Sequence, residues 1–411
     1  MHSEPPSSSA DAPREFIALM AVLISLVALS IDAMLPALPD IGRDLGTTDP
    51  NQPQLVLTAL FLGLSIGQLF YGPLSDSIGR KPAVYLGLAI FILGCTLSIL
   101  ATSFEMMLAG RVLQGLGAAG PRVVTVALIR DLFEGRAMAR IMSFVMMVFI
   151  MIPAAAPAIG QAIQALYGWR AIFGSFFAIA CVGLMWFWRR QHETLPADAR
   201  TPFAFGPIMA GILETLRNRA AFGYTVAGGL VFGSFIGFLV SAQQVFQQTY
   251  STGAAFPAYF ALLALAVGSA SFFNGRVVMR HGMRLLSKWA LQVICVLSVA
   301  FTIYIWVWAP TPNFIIFMTY MMMSFFCFGL LLANLQSLAM EPLGHIAGVA
   351  AGVVSSVTTF MSLILGTVIG QAYDGTIRPL IAGLTLLALL SLIAVHWTDL
   401  PASRARKDQT L

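Results

Sequence analysis

The chain has 411 residues, 58% of them hydrophobic and only 10% charged, with a formal net charge of +5. A soluble domain carries about 25% charged residues, so a chain this apolar cannot cover its own outside in water, and much of its surface must face lipid. The basic residues sit in short loops between apolar runs, which excludes a nucleic-acid-binding face, and the four cysteines lie inside apolar runs with no CxxC spacing or His/Cys cluster to hold a metal.

Taken in order, residues 1–15 are polar and rich in Pro and Ser. They read as a disordered cytoplasmic tail, because a signal peptide needs a basic start and a cleavage site. A spanning helix needs about 20 apolar residues. The sequence predicts twelve, over 16–38, 54–75, 83–101, 105–129, 141–164, 171–188, 220–245, 255–275, 288–308, 313–337, 346–370 and 379–397. The polar stretch 189–219 is the expected cytoplasmic linker between six-helix bundles at 16–188 and 220–397, and 398–411 is an expected cytoplasmic tail. Most loop cations (Arg80, Lys81, Arg130, Arg136, Arg140 and the linker arginines among them) fall on one side, against Arg43, Arg170 and Arg378 on the other. The positive-inside rule then puts both termini in the cytoplasm. The halves are related: Gly72 and Gly79 after the second span match Gly275 and Gly282 after the eighth.

Four segments carry candidate chemistry. In the first span, LVALSIDAMLPALP, Asp32 is the only acid in the middle of any apolar span. An intramembrane carboxylate is a functional candidate by default, here as a proton carrier. After the second span, Gly72, Asp76, Gly79, Arg80 and Lys81 form a turn in which Arg80 can pair with an acid, Asp131 being a plausible partner. In the fourth span Arg111 lies at the same depth as Asp32 and is its expected electrostatic partner, while Gln114, Gly115 and Gly117 follow it. Small residues there permit close helix approach. In the fifth span Pro153, Pro157 and Gly160 loosen the helix and let it rock against a neighbour. No nucleophile–base set, metal cluster or nucleotide loop points to an enzyme.

These segments resemble known signatures. GPLSDSIGRK resembles the loop signature of the major facilitator superfamily, RVLQGLG its helix 4 signature, and PAAAPAIG its antiporter signature, which is kept at Pro157 and Gly160 but departs at Ala156 and Gln161. Together with SIDAMLPALPDIG and NLQSLAMEPLGHIAGVAAGV they resemble the Bcr/CflA-type drug-resistance transporters over nearly the whole chain. The resemblance implies an all-α major facilitator fold, two six-helix halves around a central cavity in the inner membrane. It also implies export of small amphiphilic compounds in exchange for protons, with no cofactor, the proton gradient as driving force, and the 72–81 loop as a gate. A monomer is expected to suffice. Arg122 lies deeper in the fourth span than a second family arginine is expected, and its role stays open between recognising an anionic substrate and capping a water-filled passage. With Arg122, the neutral polar residues Gln243, Gln244, Asn334, Gln336, Ser355 and Thr359 are the candidate cavity lining. The alternative is a specific transporter of a natural metabolite such as a small peptide, siderophore or sugar.

Overall fold

The structure, a computed structural model, describes residues 14–400. Among them every regular element is helical. That is what lipid demands, since backbone polar groups without water must be satisfied within their own segment. The first half holds α1 (Arg14–Asp32), the short α2 (Leu38–Asp44), α3 (Leu55–Ile78), α4 (Arg80–Ile99), α5 (Phe104–Leu132), α6 (Gly135–Tyr167) and α7 (Trp169–Arg190). A connecting helix α8 (Phe205–Arg217) leads to the second half: α9 (Arg219–Gln244), α10 (Phe256–His281), α11 (Met283–Val307), α12 (Phe314–Met340), α13 (Ala347–Gln371) and α14 (Arg378–Asp399). Eleven apolar stretches are long enough to cross a bilayer, and the longest, Phe314–Gln371 with 58 residues, contains both α12 and α13. The described residues therefore make twelve crossings. An even number returns the end of α14 to the side where α1 begins, here called the terminal face.

Two expected boundaries are corrected. The first span does not run unbroken to residue 38: α1 begins at Arg14, taking in Arg14 and Glu15 that were expected in the tail, and stops at Asp32. Pro36 is the cause, because it lacks the N–H that would bond the Asp32 carbonyl one turn earlier. A 3-10 turn at Leu35–Ala37 and then α2 follow, each with a proline in its first turn. The 189–219 linker is not plain coil either, since α7 runs on to Arg190 and α8 occupies Phe205–Arg217. The rest of the expected tails, 1–13 and 401–411, lies outside the described residues, while Thr398 and Asp399 belong to α14.

The halves are cemented differently. In the first, a Cβ on Gly63 of α3 would overlap the Val112 carbonyl of α5, and one on Gly115 of α5 would overlap the Leu60 carbonyl of α3. Gly117 stands equally close to Gly87 and Phe91 of α4. Backbones touch directly, as small residues allow in membranes. The second half has such contacts as well, with Gly329 of α12 on the Val267 carbonyl of α10, and adds a cluster of rings. Phe238 and Phe325 meet edge-on at 4.8 Å, and Phe235 contacts Phe232, Phe325 and Phe328. The repeat survives in the turns: Gly79 has φ 104° and ψ 158°, Gly282 φ 78° and ψ 156°, a conformation that only glycine adopts without steric cost.

Candidate functional site

Arg111 is fully buried on α5. Its Nη2 donates to the Ser30 carbonyl at 2.8 Å, its Nε to the Val56 carbonyl at 3.1 Å and its Nη1 to Gln114 Oε1 at 2.6 Å. The Phe173 ring of α7 lies 5.7 Å from the guanidinium. Gln114 in turn donates to Ser98 Oγ of α4 at 3.0 Å. The expected ion pair with Asp32 is not formed. Ser30 lies in the last turn of α1, where carbonyls lack partners within the helix and the helix dipole is negative. Arg111 answers that end charge and the α3 backbone, joining α1, α3, α4 and α5 through neutral oxygens. The stop at Asp32 thus creates the acceptor that Arg111 uses.

Asp32 is buried on the last residue of α1, and among the described residues no ion pair or hydrogen bond holds its carboxylate. Its chain neighbour Ala33 is the contact for α6: a Cβ on Gly160 would overlap the Ala33 carbonyl. Pro153 and Pro157 lie inside α6, two turns and one turn before that contact. The segment read as a loosened helix therefore presses on the break next to Asp32.

At the terminal face Arg80 is the hub of the 72–81 turn. Its Nε donates to Asp131 Oδ2 at 2.9 Å, and its Nη1 to Ser75 Oγ at 2.7 Å and to Asp76. Beneath it, Gly72 of α3 faces the Gly348 carbonyl of α13. Gly79, at the head of α4, has no side chain to cap the helix, and a residue that the sequence reading passed over does so. Glu193 of the linker accepts from the Arg80 N–H at 2.9 Å and the Lys81 N–H at 3.0 Å. A carboxylate on the free N–H groups of a helix start is a favourable arrangement. The linker continues across the turn, with Thr201 N–H on the Asp76 carbonyl and Phe203 N–H on Ser77 Oγ, both 3.1 Å. Lys81 Nζ reaches the Trp188 carbonyl at 3.3 Å.

Between the halves, toward the terminal face, lies a cavity of about 160 Å³. Arg122, Gln336, Ser355 and Thr359 line it as the sequence predicts, joined by Gln68 of α3, Tyr224, Thr225 and Phe232 of α9, and Thr358. Gln68 was a legible signal, an amide inside an apolar run; the α9 aromatics were not. Three expected lining residues are elsewhere. Asn334 pairs with Asn274 through two hydrogen bonds of 2.8 and 3.1 Å, joining α12 to α10. Gln243 and Gln244 are buried at the far end of α9. Their helix runs from the terminal face, so its last turn lies about 18 Å beyond Phe232, the last α9 residue of the lining, at 1.5 Å per residue.

Gln244 belongs instead to a seam that closes the opposite face. It accepts from Gln54, and its Nε2 donates to Asn51 Oδ1 at 2.7 Å and to the Pro50 carbonyl at 3.1 Å. Asn51 donates to the carbonyls of Gln371 and Tyr373, and Gln371 returns a bond to the Asn51 carbonyl at 2.8 Å. Deeper, Thr58 meets Thr367 at 3.0 Å, Ser356 donates to the Ser65 carbonyl at 2.7 Å, and Thr359 donates to Gln68 at 3.1 Å. All of these bonds cross from one half to the other.

The comparisons with known proteins agree with this layout. The chain is 30% identical over 356 residues to an uncharacterized MFS-type transporter, YdgK, of Bacillus subtilis (strain 168), covering 86% of this chain and 87% of that one. It is 28% identical over 392 residues to a bicyclomycin resistance protein homolog of Haemophilus influenzae, covering 93% and 95%. It is 27% identical over 410 residues to multidrug resistance protein D of Escherichia coli (strain K12), covering 95% and 98%. The crystal structure of the human organic anion transporter MFSD10 (TETRAN) shares the fold, with a TM-score of 0.64 over 96% of this chain and 100% of that chain, at 17% identity. Residues 20–367 match the Major Facilitator Superfamily. With two six-helix halves, a cavity between them and that match, the chain is a multi-pass membrane transporter, not an enzyme, and it belongs to the Major Facilitator Superfamily.

Proposed function

We propose that this transporter exports small amphiphilic compounds across the bacterial inner membrane in exchange for protons, by alternating access and as a monomer. The observation that carries the reading is the inter-half cavity toward the terminal face, shut off from the opposite face by the Asn51–Gln54–Gln244–Gln371 seam. A site reachable from one side at a time is what alternating access requires. The excess of Lys and Arg at the terminal face supports a cytoplasmic location for it, so the cavity would load from the cytoplasm. The resistance-protein names of two relatives support drug-like cargo. Asp32 is the proton carrier of this reading, placed where α1 breaks and α6 presses on the break. Arg111 ties down the end of α1 that carries it, through the Ser30 carbonyl rather than by an ion pair.

The test is uptake of an uncharged amphiphilic dye such as Nile red into inside-out vesicles under an imposed pH gradient. Accumulation that collapses with the gradient supports the reading, and gradient-independent equilibration overturns it. The polar lining of a small cavity favours a second reading, specific transport of one natural metabolite such as a small peptide, siderophore or sugar. Competition among chemically unrelated compounds for the same uptake would argue against it.

A further inference from the structure

We infer that the cavity is a binding site for small amphiphilic carboxylates, with the Arg122 guanidinium as the anion-holding group. The inference rests on the transport reading above and names its substrate class. Arg122 stands on α5 ten residues before the helix ends at Leu132, so it is about 15 Å from the terminal face, at 1.5 Å per residue. A cation at that depth normally comes with a carboxylate or a set of carbonyls. Arg111, on the same helix, has such a set. Arg122 has none: among the described residues no hydrogen bond, ion pair or ring contact engages its guanidinium, and it lines the cavity instead.

The rest of the lining fits one ligand chemistry. Among the described residues no Asp or Glu lines the cavity, so the only formal charge in that lining is positive. A cationic ligand would meet repulsion there without a counter-charge, and a neutral one would leave the arginine unpaired. A planar carboxylate matches the two parallel N–H donors of a guanidinium. Around that pair, Gln336, Ser355 and Thr358 offer neutral hydrogen-bonding groups, and Phe232 with Tyr224 offers ring faces for an apolar body. The volume of about 160 Å³ suits a single planar ring system with a short acid arm.

The test uses indole-3-acetate and indole-3-acetamide, which share shape and ring and differ in charge. Their affinities for purified protein in detergent are measured by calorimetry for the wild type, Arg122→Gln and Arg122→Ala. A charge-assisted pair corresponds to about tenfold to hundredfold in affinity. The wild type is expected to prefer the acid by at least about tenfold, and both variants to lose that preference while binding the amide as before. Arg122→Gln keeps a polar group of similar length, and its thermal midpoint checks that it folds. Equal affinity of the wild type for acid and amide, absence of saturable acid binding, or equal weakening of both ligands in the variants overturns the assignment. The outcome is separable from the export reading. Dye uptake that fails while Arg122 still selects the acid removes proton-driven export and leaves the ligand class. Uptake that succeeds without acid selection does the reverse.

Discussion

At the scale of single residues, Asp32 and Arg111 are not paired, and the proposed coupling role falls to Asp32 alone. Arg111 is a structural tie with three acceptors on three sides, and lysine, with a single nitrogen, cannot serve them all. Arg111→Lys is expected to lower stability by about 1–3 kcal/mol, the cost of leaving buried acceptors unmade, read as a lower thermal midpoint in detergent. The fraction that stays folded should still take up dye under a pH gradient. A well-folded Arg111→Lys protein with no coupling would return Arg111 to the proton path. Among the described residues Asp32 has no bonding partner to lose, so Asp32→Asn should fold within about 1 kcal/mol of the wild type. It should nevertheless abolish gradient-driven accumulation and make ligand affinity independent of pH. Continued accumulation against a gradient in this variant would make Asp32 structural.

At the scale of elements, contact depends on what each glycine faces. Gly115 faces the Leu60 carbonyl, whereas Gly174 on α7 has nothing within 4 Å of where a Cβ would stand. Alanine in an open helix position is favourable by about 0.5–1 kcal/mol over glycine. Gly174→Ala should therefore be neutral or slightly stabilising, while Gly115→Ala should cost about 1–3 kcal/mol because α3 and α5 must part. Thermal unfolding of the two variants side by side checks this, and equal midpoints would refute the backbone contact. The linker is a working element as well. Glu193 caps α4, and α8 reaches the second half, where Gly211 packs on Val349 and His345 Nε2 lies 2.6 Å from Glu214 Oε1. Glu193→Gln removes a charge from a helix start, a loss of about 0.3–1 kcal/mol. It should loosen the 72–81 turn and raise thiol labelling of a cysteine placed at Ser77. Unchanged labelling would leave Glu193 without influence on the turn.

At the scale of the whole molecule, the proposed alternating access makes the seam at the opposite face and the linker laid over the 72–81 turn at the terminal face opposing influences on one conformational equilibrium. Gln244 bonds to three first-half residues, Pro50, Asn51 and Gln54. Replacing it with leucine removes the bonds that hold the seam shut at about 1 kcal/mol each. A shift of that size changes a two-state ratio about fivefold or more. Gln244→Leu should therefore make a cysteine at Thr58, below the seam, react faster with a polar thiol reagent added from the opposite face. Ligand entering from the terminal face should bind more weakly, since the state that holds it is less populated. Labelling no faster than in the wild type background would mean that packing between α3 and α13, not the amide network, closes that face.

Much of this was legible in the chain because lipid leaves few options. A run of about 20 apolar residues must be a helix, so the twelve crossings, the linker and the repeat of Gly79 and Gly282 could be read directly. The close approach of α5 was legible as well, since Gly115 and Gly117 announce it before any partner is known, whereas Gly160 was read as loosening its helix and the structure adds its contact with the Ala33 carbonyl. What the sequence could not settle was who meets whom. Asp32 and Arg111 share a depth, but depth along a span says nothing about rotation around it, and the guanidinium turned to the Ser30 carbonyl at the end of α1 and the Val56 carbonyl of α3. Gln243, Gln244 and Asn334 were polar and inside apolar runs like Gln336 and Ser355. The position along α9, or a partner such as Asn274, decides between seam, helix contact and cavity. Glu193 looked like any acid in a polar linker until the fold laid it over the start of α4. Local sequence therefore determined the elements, because each satisfies its own backbone. Only the tertiary structure decided the polar contacts, because these form between residues from distant parts of the chain.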